Sequence, residues 1–200
     1  MHVRWSRLML ICVLVAPAFA EQRSFEYCTV CHGANGNGNP AIHAPRIAGL
    51  ENWYLKNQLV AFKDGWRGAH GDDAPGNEMR PVAEGLTLAE VDQAIAYVGT
   101  LTPKEPPPTV SGDIGNGKML YAACAACHGN RGEGRVSLQA PALAMRTDWY
   151  LVTQLRNYRS GLRGSSNLDG RGRQMRAAAI ASLPNDAAIN DVVAYIDSLR

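Results

Sequence analysis

The chain has 200 residues, 46% hydrophobic, 19% charged and 7% aromatic, a globular composition that excludes a disordered or collagen-like protein. Basic side chains number 20 and acidic ones 18, and the two surplus cations, Arg4 and Arg7, both fall within residues 1–20. The remainder is neutral, which argues against a general nucleic-acid binder, and five cysteines are too few to staple a chain of this length.

Residues 1–20 read as a secretory signal. Arg4 and Arg7 form the basic start, Leu8 to Ala16 the apolar stretch, and Ala18-Phe19-Ala20 a small-x-small cleavage site before Glu21. The apolar stretch is too short to span a bilayer, which takes about 20 residues. Cys12 lies inside it and is given no chemical role.

The rest of the chain is a tandem duplication with a constant offset of 96 residues. Cys28-Thr29-Val30-Cys31-His32 matches Cys124-Ala125-Ala126-Cys127-His128, and Trp53-Tyr54-Leu55 matches Trp149-Tyr150-Leu151. Pro45, Gln58, Arg67 and Met79-Arg80 match Pro141, Gln154, Arg163 and Met175-Arg176. Past Ala83 and Ala179 the register slips by two, a change expected in a loop. The segment 103–109, Pro103-Lys104-Glu105-Pro106-Pro107-Pro108-Thr109, is an extended spacer. Two domains follow, 21–102 and 110–200.

Each half is predicted to be all-α, in the order of a helix running into the cysteine motif, a Gly/Pro/Asn-rich loop, a central helix, a loop holding the methionine, and a closing helix. The central helices start behind Asn52 and Asp148 as N-caps. Leu55, Leu59 and Phe62, or Leu151, Leu155 and Tyr158, make one apolar stripe. Thr87-Leu88-Ala89-Glu90 has capping-box spacing ahead of Val91, Ile95 and Val98. All-α units of about 90 residues bury little apolar surface alone, so a cofactor is needed to complete each core.

Cys-x-x-Cys-His is the attachment sequence of c-type haem. Its thiols can add to the two vinyl groups on one porphyrin edge, while His32 or His128 reaches under the ring to the iron. A redox dithiol does not need a histidine fixed after both copies, and zinc would need further Cys or His ligands, of which only His43 and His70 remain. For the sixth position, Met79 and Met175 are the only methionines that repeat, each 47 residues after its histidine. Carbonyls at Pro45 and Pro141, 13 residues after His32 and His128, are candidates to accept the histidine Nδ1–H and fix its tautomer. Arg67/Arg163 and Arg80/Arg176 are candidates for haem propionates, and Trp53/Trp149 and Tyr97/Tyr195 for core packing with a haem wall.

On these motifs the sequence resembles a di-haem class I cytochrome c of the cytochrome c4 type, over essentially all of residues 21–200. The resemblance implies two tandem haem domains and two covalently attached haem c groups. Cys28, Cys31, Cys124 and Cys127 would form the thioethers, and His32, Met79, His128 and Met175 would be the axial iron ligands. It also implies a periplasmic electron carrier, fed by a quinol-oxidising complex and drained by a terminal oxidase or reductase, with loose membrane association allowed and no small-molecule substrate or nucleic acid expected. The alternatives are a cytochrome subunit of a dehydrogenase complex or a di-haem enzyme acting on peroxide or thiosulfate. One departure is Glu21 at the position of Gly117, which shortens the first opening helix. Residues 21–102 carry six basic and ten acidic side chains, residues 109–200 eleven and seven, so the halves form an electrostatic dipole suited to two different partners.

Overall fold

The computed structural model describes residues 24–200; the signal segment, Cys12 and Glu21 lie outside them. Among the described residues eight α-helices fall into two sets of four in the same order. The first set is α1 (Cys28–His32), α2 (Asn52–Lys63), α3 (Ala74–Glu84) and α4 (Leu88–Val98); the second is α5 (Ile114–His128), α6 (Asp148–Ser160), α7 (Gly170–Ser182) and α8 (Asp186–Asp197). Among the described residues there is no strand, only the antiparallel bridges Asn39–Ala44 and Arg135–Ala140.

Each set has its own core. In the first, Leu55 of α2 packs with Phe25, Leu86 and the α4 stripe Val91, Ile95 and Val98. In the second, Tyr121 of α5 and Leu151 of α6 pack with Leu183 and the α8 residues Ile189, Val192, Val193 and Ile196. The capping box of α4 forms as expected: the Thr87 hydroxyl accepts from Glu90 N–H, and the Glu90 carboxylate accepts from Thr87 N–H at 2.8 Å. On α8, Asn185 Oδ1 accepts from Ala188 N–H at 2.9 Å.

Three expectations are corrected. The methionines do not sit in loops: Met79 lies within α3 and Met175 within α7. The Gly/Asn/Asp/Pro residues ahead of them are helix-start chemistry. Asp73 and Asp169 accept from the N–H of Gly76 and Gly172 (3.3 and 2.7 Å), and Pro75 occupies the first turn, where its missing N–H costs nothing. The register slip also lies in a helix. The segments 85–87 and 183–185 that follow α3 and α7 are equally long, but α7 has 13 residues to the 11 of α3. Gly85, a poor helix former, stands where the second half has Ala181.

Finally, Asn52 and Asp148 do not cap the central helices, which begin one residue earlier behind Glu51 and Thr147 without side-chain caps. Asp148, 1% exposed, instead ties down the end of the spacer. Its carboxylate accepts from the N–H and hydroxyl of Thr109 and the N–H of Val110, and also from Trp149 N–H. Spacer and first half are joined where Asn37 Oδ1 accepts from Lys104 N–H at 2.7 Å.

Candidate functional site

Helices α1 and α5 both end on the motif histidine, and a glycine at φ +81° turns the chain out of each, Gly33 and Gly129. The loops that follow share one hydrogen-bond skeleton. Gly38 and Gly134 N–H donate to the carbonyls of His32 and His128, both at 2.8 Å. The two bridges close a short 3-10 turn, and Gly36 and Gly132 carbonyls accept from Ile47 and Leu143 N–H. This loop returns the chain under the histidine, putting His32 Nδ1 2.6 Å from Pro45 O and His128 Nδ1 2.8 Å from Pro141 O. A carbonyl only accepts, so Nδ1 carries the proton in both rings and Nε2 keeps its lone pair for a metal. Gly38 and Gly134 lie flat against the Pro45–Arg46 and Pro141–Ala142 peptides, where a Cβ would collide. The close approach therefore requires glycine.

Burial holds both imidazoles below their ordinary pKa, opposed by the carbonyl bond and, at His128, by Glu51; Arg146 adds to the lowering there. Both rings are neutral, the form that binds iron. Burial pushes the Cys28 thiol up, and the Cys124 thiol up to about 11. A dithiol catalyst requires the opposite, a stabilised thiolate. Among the described residues no cluster of three or more His, Cys, Asp or Glu side chains could hold a metal ion.

In the first half, Cys28, Cys31, His32 and Met79 line one predominantly apolar cavity, walled by residues such as Leu55, Leu59, Phe62 and Ile95. Helix α3 thus presents its methionine to the same space as the histidine of α1. The second half places Cys124, Cys127 and His128 at the end of α5 and Met175 at the same position of α7. His128 is buried, 7% exposed.

The cavity of the first half is closed from the other half by Trp149, Tyr150 and Gln154. Trp149 reaches across the boundary to wall the cavity of the first half, meeting His43 edge-on at 6.3 Å between ring centroids. Around it the central helices make a reciprocal contact. Arg67 donates to Gln58 Oε1 (2.9 Å), Gln154 Oε1 (3.0 Å) and Tyr150 OH (2.7 Å). Arg163 donates to Gln154 (2.7 Å), Gln58 (2.6 Å) and the Tyr54 hydroxyl. Each residue is the 96-residue image of its counterpart, so the contact is isologous, like a two-fold dimer interface within one chain.

The arginine network is electrostatically unbalanced. Two guanidinium groups, one of them 6% exposed, share neutral amide and phenol oxygens and repel one another. The field is visible at Tyr54: burial raises its pKa, yet Arg163, Arg146 and Arg67 together draw it down to about 8. Nearby, Trp53 Nε1 and Arg146 Nη1 are buried donors without acceptors among the described residues. Haem c carries two propionate carboxylates, the anion class such a donor set holds. The residues present therefore fit the group on both counts, an apolar cavity with a neutral histidine and a methionine, and a cationic rim. Arg80 does not join this rim, being paired with Glu84 at 2.7 Å on the surface of α3. Among the described residues Arg176 has no such partner, and its Nε is buried and unpaired. Tyr97 and Tyr195 pack on the two cores as expected.

In the sequence, Tyr54, Gln58, Tyr150 and Gln154 stand only as members of a helix. Their exact repetition beside Arg67 and Arg163 was the available signal for a shared contact. Glu51 is not repeated and gave none.

The cytochrome c family model matches residues 22–102 and again 114–200. The chain is 28% identical to cytochrome c4 of Pseudomonas aeruginosa, over 92% of this chain and 89% of that protein. It is 33% identical to the thiosulfate dehydrogenase electron acceptor of Thiomonas intermedia, over 70% of this chain and 66% of that protein. The solved structure of Acidithiobacillus ferrooxidans cytochrome c4 superposes with a TM-score of 0.69 at 27% identity, covering 88% of this chain and 99% of that one. Two copies of the histidine–carbonyl loop, joined through a reciprocal interface, thus agree with the family match: this chain belongs to the cytochrome c family, in its tandem di-haem, c4-type form.

Proposed function

We propose that the chain is a periplasmic carrier of single electrons between a respiratory donor complex and a terminal oxidase or reductase, with domains 21–102 and 110–200 joined by 103–109. Cys28, Cys31, Cys124 and Cys127 anchor the two haems; His32 and Met79, His128 and Met175 hold the irons. When bound, each haem supplies a one-electron iron couple, and His/Met ligation favours the reduced state relative to bis-His. The chain's own residues do the rest. Pro45 and Pro141 orient the histidines, Met79 and Met175 would take the iron position a substrate would need, and the apolar walls exclude water. The observation that carries this reading is the same histidine–carbonyl bond in both halves, with a methionine at the matching position of the facing helix.

The oxidised protein tests it. A weak long-wavelength iron–thioether band is expected to fall by half in Met79→Ala and by half in Met175→Ala. Unchanged spectra in both variants would overturn the ligand assignment.

The surfaces favour different partners for the two halves. Arg131, Arg135, Arg171 and Arg173 are exposed around the second motif and its methionine helix, where the first half has Asn35, Asn39, Pro75 and Asn77. Arg171 bonds Gln139 at 3.0 Å, joining helix and loop into one basic face. That face suits an acidic partner, and the acidic first half a basic one, with steering that salt screens. The likeness to a thiosulfate dehydrogenase electron acceptor supports a second reading, in which the donor is a dehydrogenase and the chain its acceptor. Among the described residues no helix is long and apolar enough to cross a membrane.

A further inference from the structure

The two proximal histidines sit in matching loops, but one of those loops is gripped from the other half of the molecule. Glu51, at the start of α2 in the first half, uses both carboxylate oxygens on the second. Oε1 accepts from Ala142 N–H at 2.7 Å and Oε2 from Arg146 Nη2 at 2.9 Å. Ala142 N–H belongs to the same peptide unit as the Pro141 carbonyl, which accepts from His128 Nδ1 at 2.8 Å. A continuous chain of hydrogen bonds therefore runs from the Glu51 carboxylate through one peptide to the histidine that faces the second haem.

We infer that Glu51 is a positioning residue that tunes the second haem from the first domain, by polarising the Pro141–Ala142 peptide. The inference rests on His128 being an iron ligand, as proposed above. An anion on the N–H side of an amide shifts electron density toward its carbonyl oxygen, making that oxygen a stronger acceptor. A stronger Nδ1–H···O bond gives the imidazole more anionic character, which favours ferric iron and lowers the potential.

The first half lacks this device. The 96-residue counterpart of Glu51 is Thr147, whose buried hydroxyl has no partner among the described residues. The matching peptide is followed by the Arg46 side chain, 5% exposed, which bonds the carbonyls of Ala48, Lys104 and Met145. Glu51 is held in place rather than free to wander, because Arg146, 6% exposed, pins its second oxygen while bonding Ala142 O through Nε at 2.8 Å.

The test uses the matured di-haem protein as wild type, Glu51→Gln and Arg146→Met. Glutamine keeps an acceptor facing Ala142 but removes the charge. The potential of the second haem should rise in Glu51→Gln while that of the first stays, and in the reduced protein the His128 Nδ1–H resonance should move upfield while that of His32 does not. Arg146→Met removes the pin that holds the carboxylate on Ala142 and should likewise move the His128 Nδ1–H resonance upfield while that of His32 stays. A purely structural ion pair would leave the His128 proton unmoved in both variants, and that result overturns the inference, as does an equal shift at both haems. If Glu51→Gln does not mature, the Arg146→Met shifts decide alone. A wild-type chain that matures without two redox-active irons sinks the carrier reading and this one with it; a two-haem chain in which His128 does not respond sinks only the tuning.

Discussion

The two halves are alike in their histidine loops and in the arginine–glutamine contact that joins them, and unlike in their opening helices and outer surfaces. Their histidine loops agree to the individual hydrogen bond, from Gly38 and Gly134 N–H to the Pro45 and Pro141 carbonyls. Their opening helices differ threefold, five residues in α1 against 15 in α5. In the second half Gly117 lets α5 lie directly on the Asp191 backbone of α8, and Asp191 fastens the crossing by accepting from Asp113 N–H and Asn116 Nδ2, both at 2.7 Å. The difference teaches that the geometry of the ligand loop leaves little room for change, whereas helix length and surface charge are free to diverge around it.

The largest effect expected comes from removing what the halves share. In Cys124→Ala/Cys127→Ala the second half loses the thiols proposed as its thioether anchors, and the small core around Tyr121, Leu151 and Ile189 should lose the cofactor proposed to complete it. Iron analysis should give one iron per chain in place of two, with the first half still haem-loaded and the helical circular dichroism of the second half reduced. Two retained irons would show that the halves do not load independently through their own cysteines.

The second prediction concerns what the halves do not share. A Cβ at Gly117 would collide with the Asp191 carbonyl, which is backbone and cannot swing aside. Gly117→Ala should destabilise the second half by about 3 kcal/mol, the upper range for overpacking a tight contact. Denaturant unfolding of the haem-loaded protein, followed through the separate signals of the two haems, should show the loss in one half only.

How much of this was legible in the sequence depended on whether a signal was local. The duplication, the paired Cys-x-x-Cys-His motifs, the capping box at Thr87 and the Pro45/Pro141 spacing are all one-dimensional patterns with a direct physical meaning. The methionine helices were misread because Asp73, Pro75 and Asn77 are loop-favouring as a composition but helix-starting as an ordered string. The cap at Asp148 was misplaced because a tertiary demand, the backbone N–H groups of Thr109 and Val110, outbid the local one. Contacts across the two-fold were invisible one residue at a time: nothing in Glu51 announces Ala142, 91 positions away, and Trp149 looks like any core indole until the other half is set against it.

Asp148 supplies the smallest effect and the finest version of the comparison, since its counterpart Asn52 has no spacer to hold and is exposed. Burial works to raise the Asp148 pKa, but its bonds from Thr109, Val110 and Trp149 more than offset this, and the net shift is downward. A carboxyl whose folded pKa is depressed stabilises the fold above its unfolded value, about 3.9, and that contribution is lost as pH falls through the lower folded value. Acidification below about pH 4 should therefore loosen the spacer from the second half. Asp148→Asn, which replaces one accepting oxygen with an NH2 group facing N–H donors, should cost about 1 to 2 kcal/mol at neutral pH and remove that part of the acid dependence. Unfolding measured at several pH values would check both. A variant whose stability falls as steeply with acid as the wild type would mean that the spacer is held elsewhere, by Arg46 and Asn37 from the first half, and that the two halves share the linker more equally than Asp148 suggests.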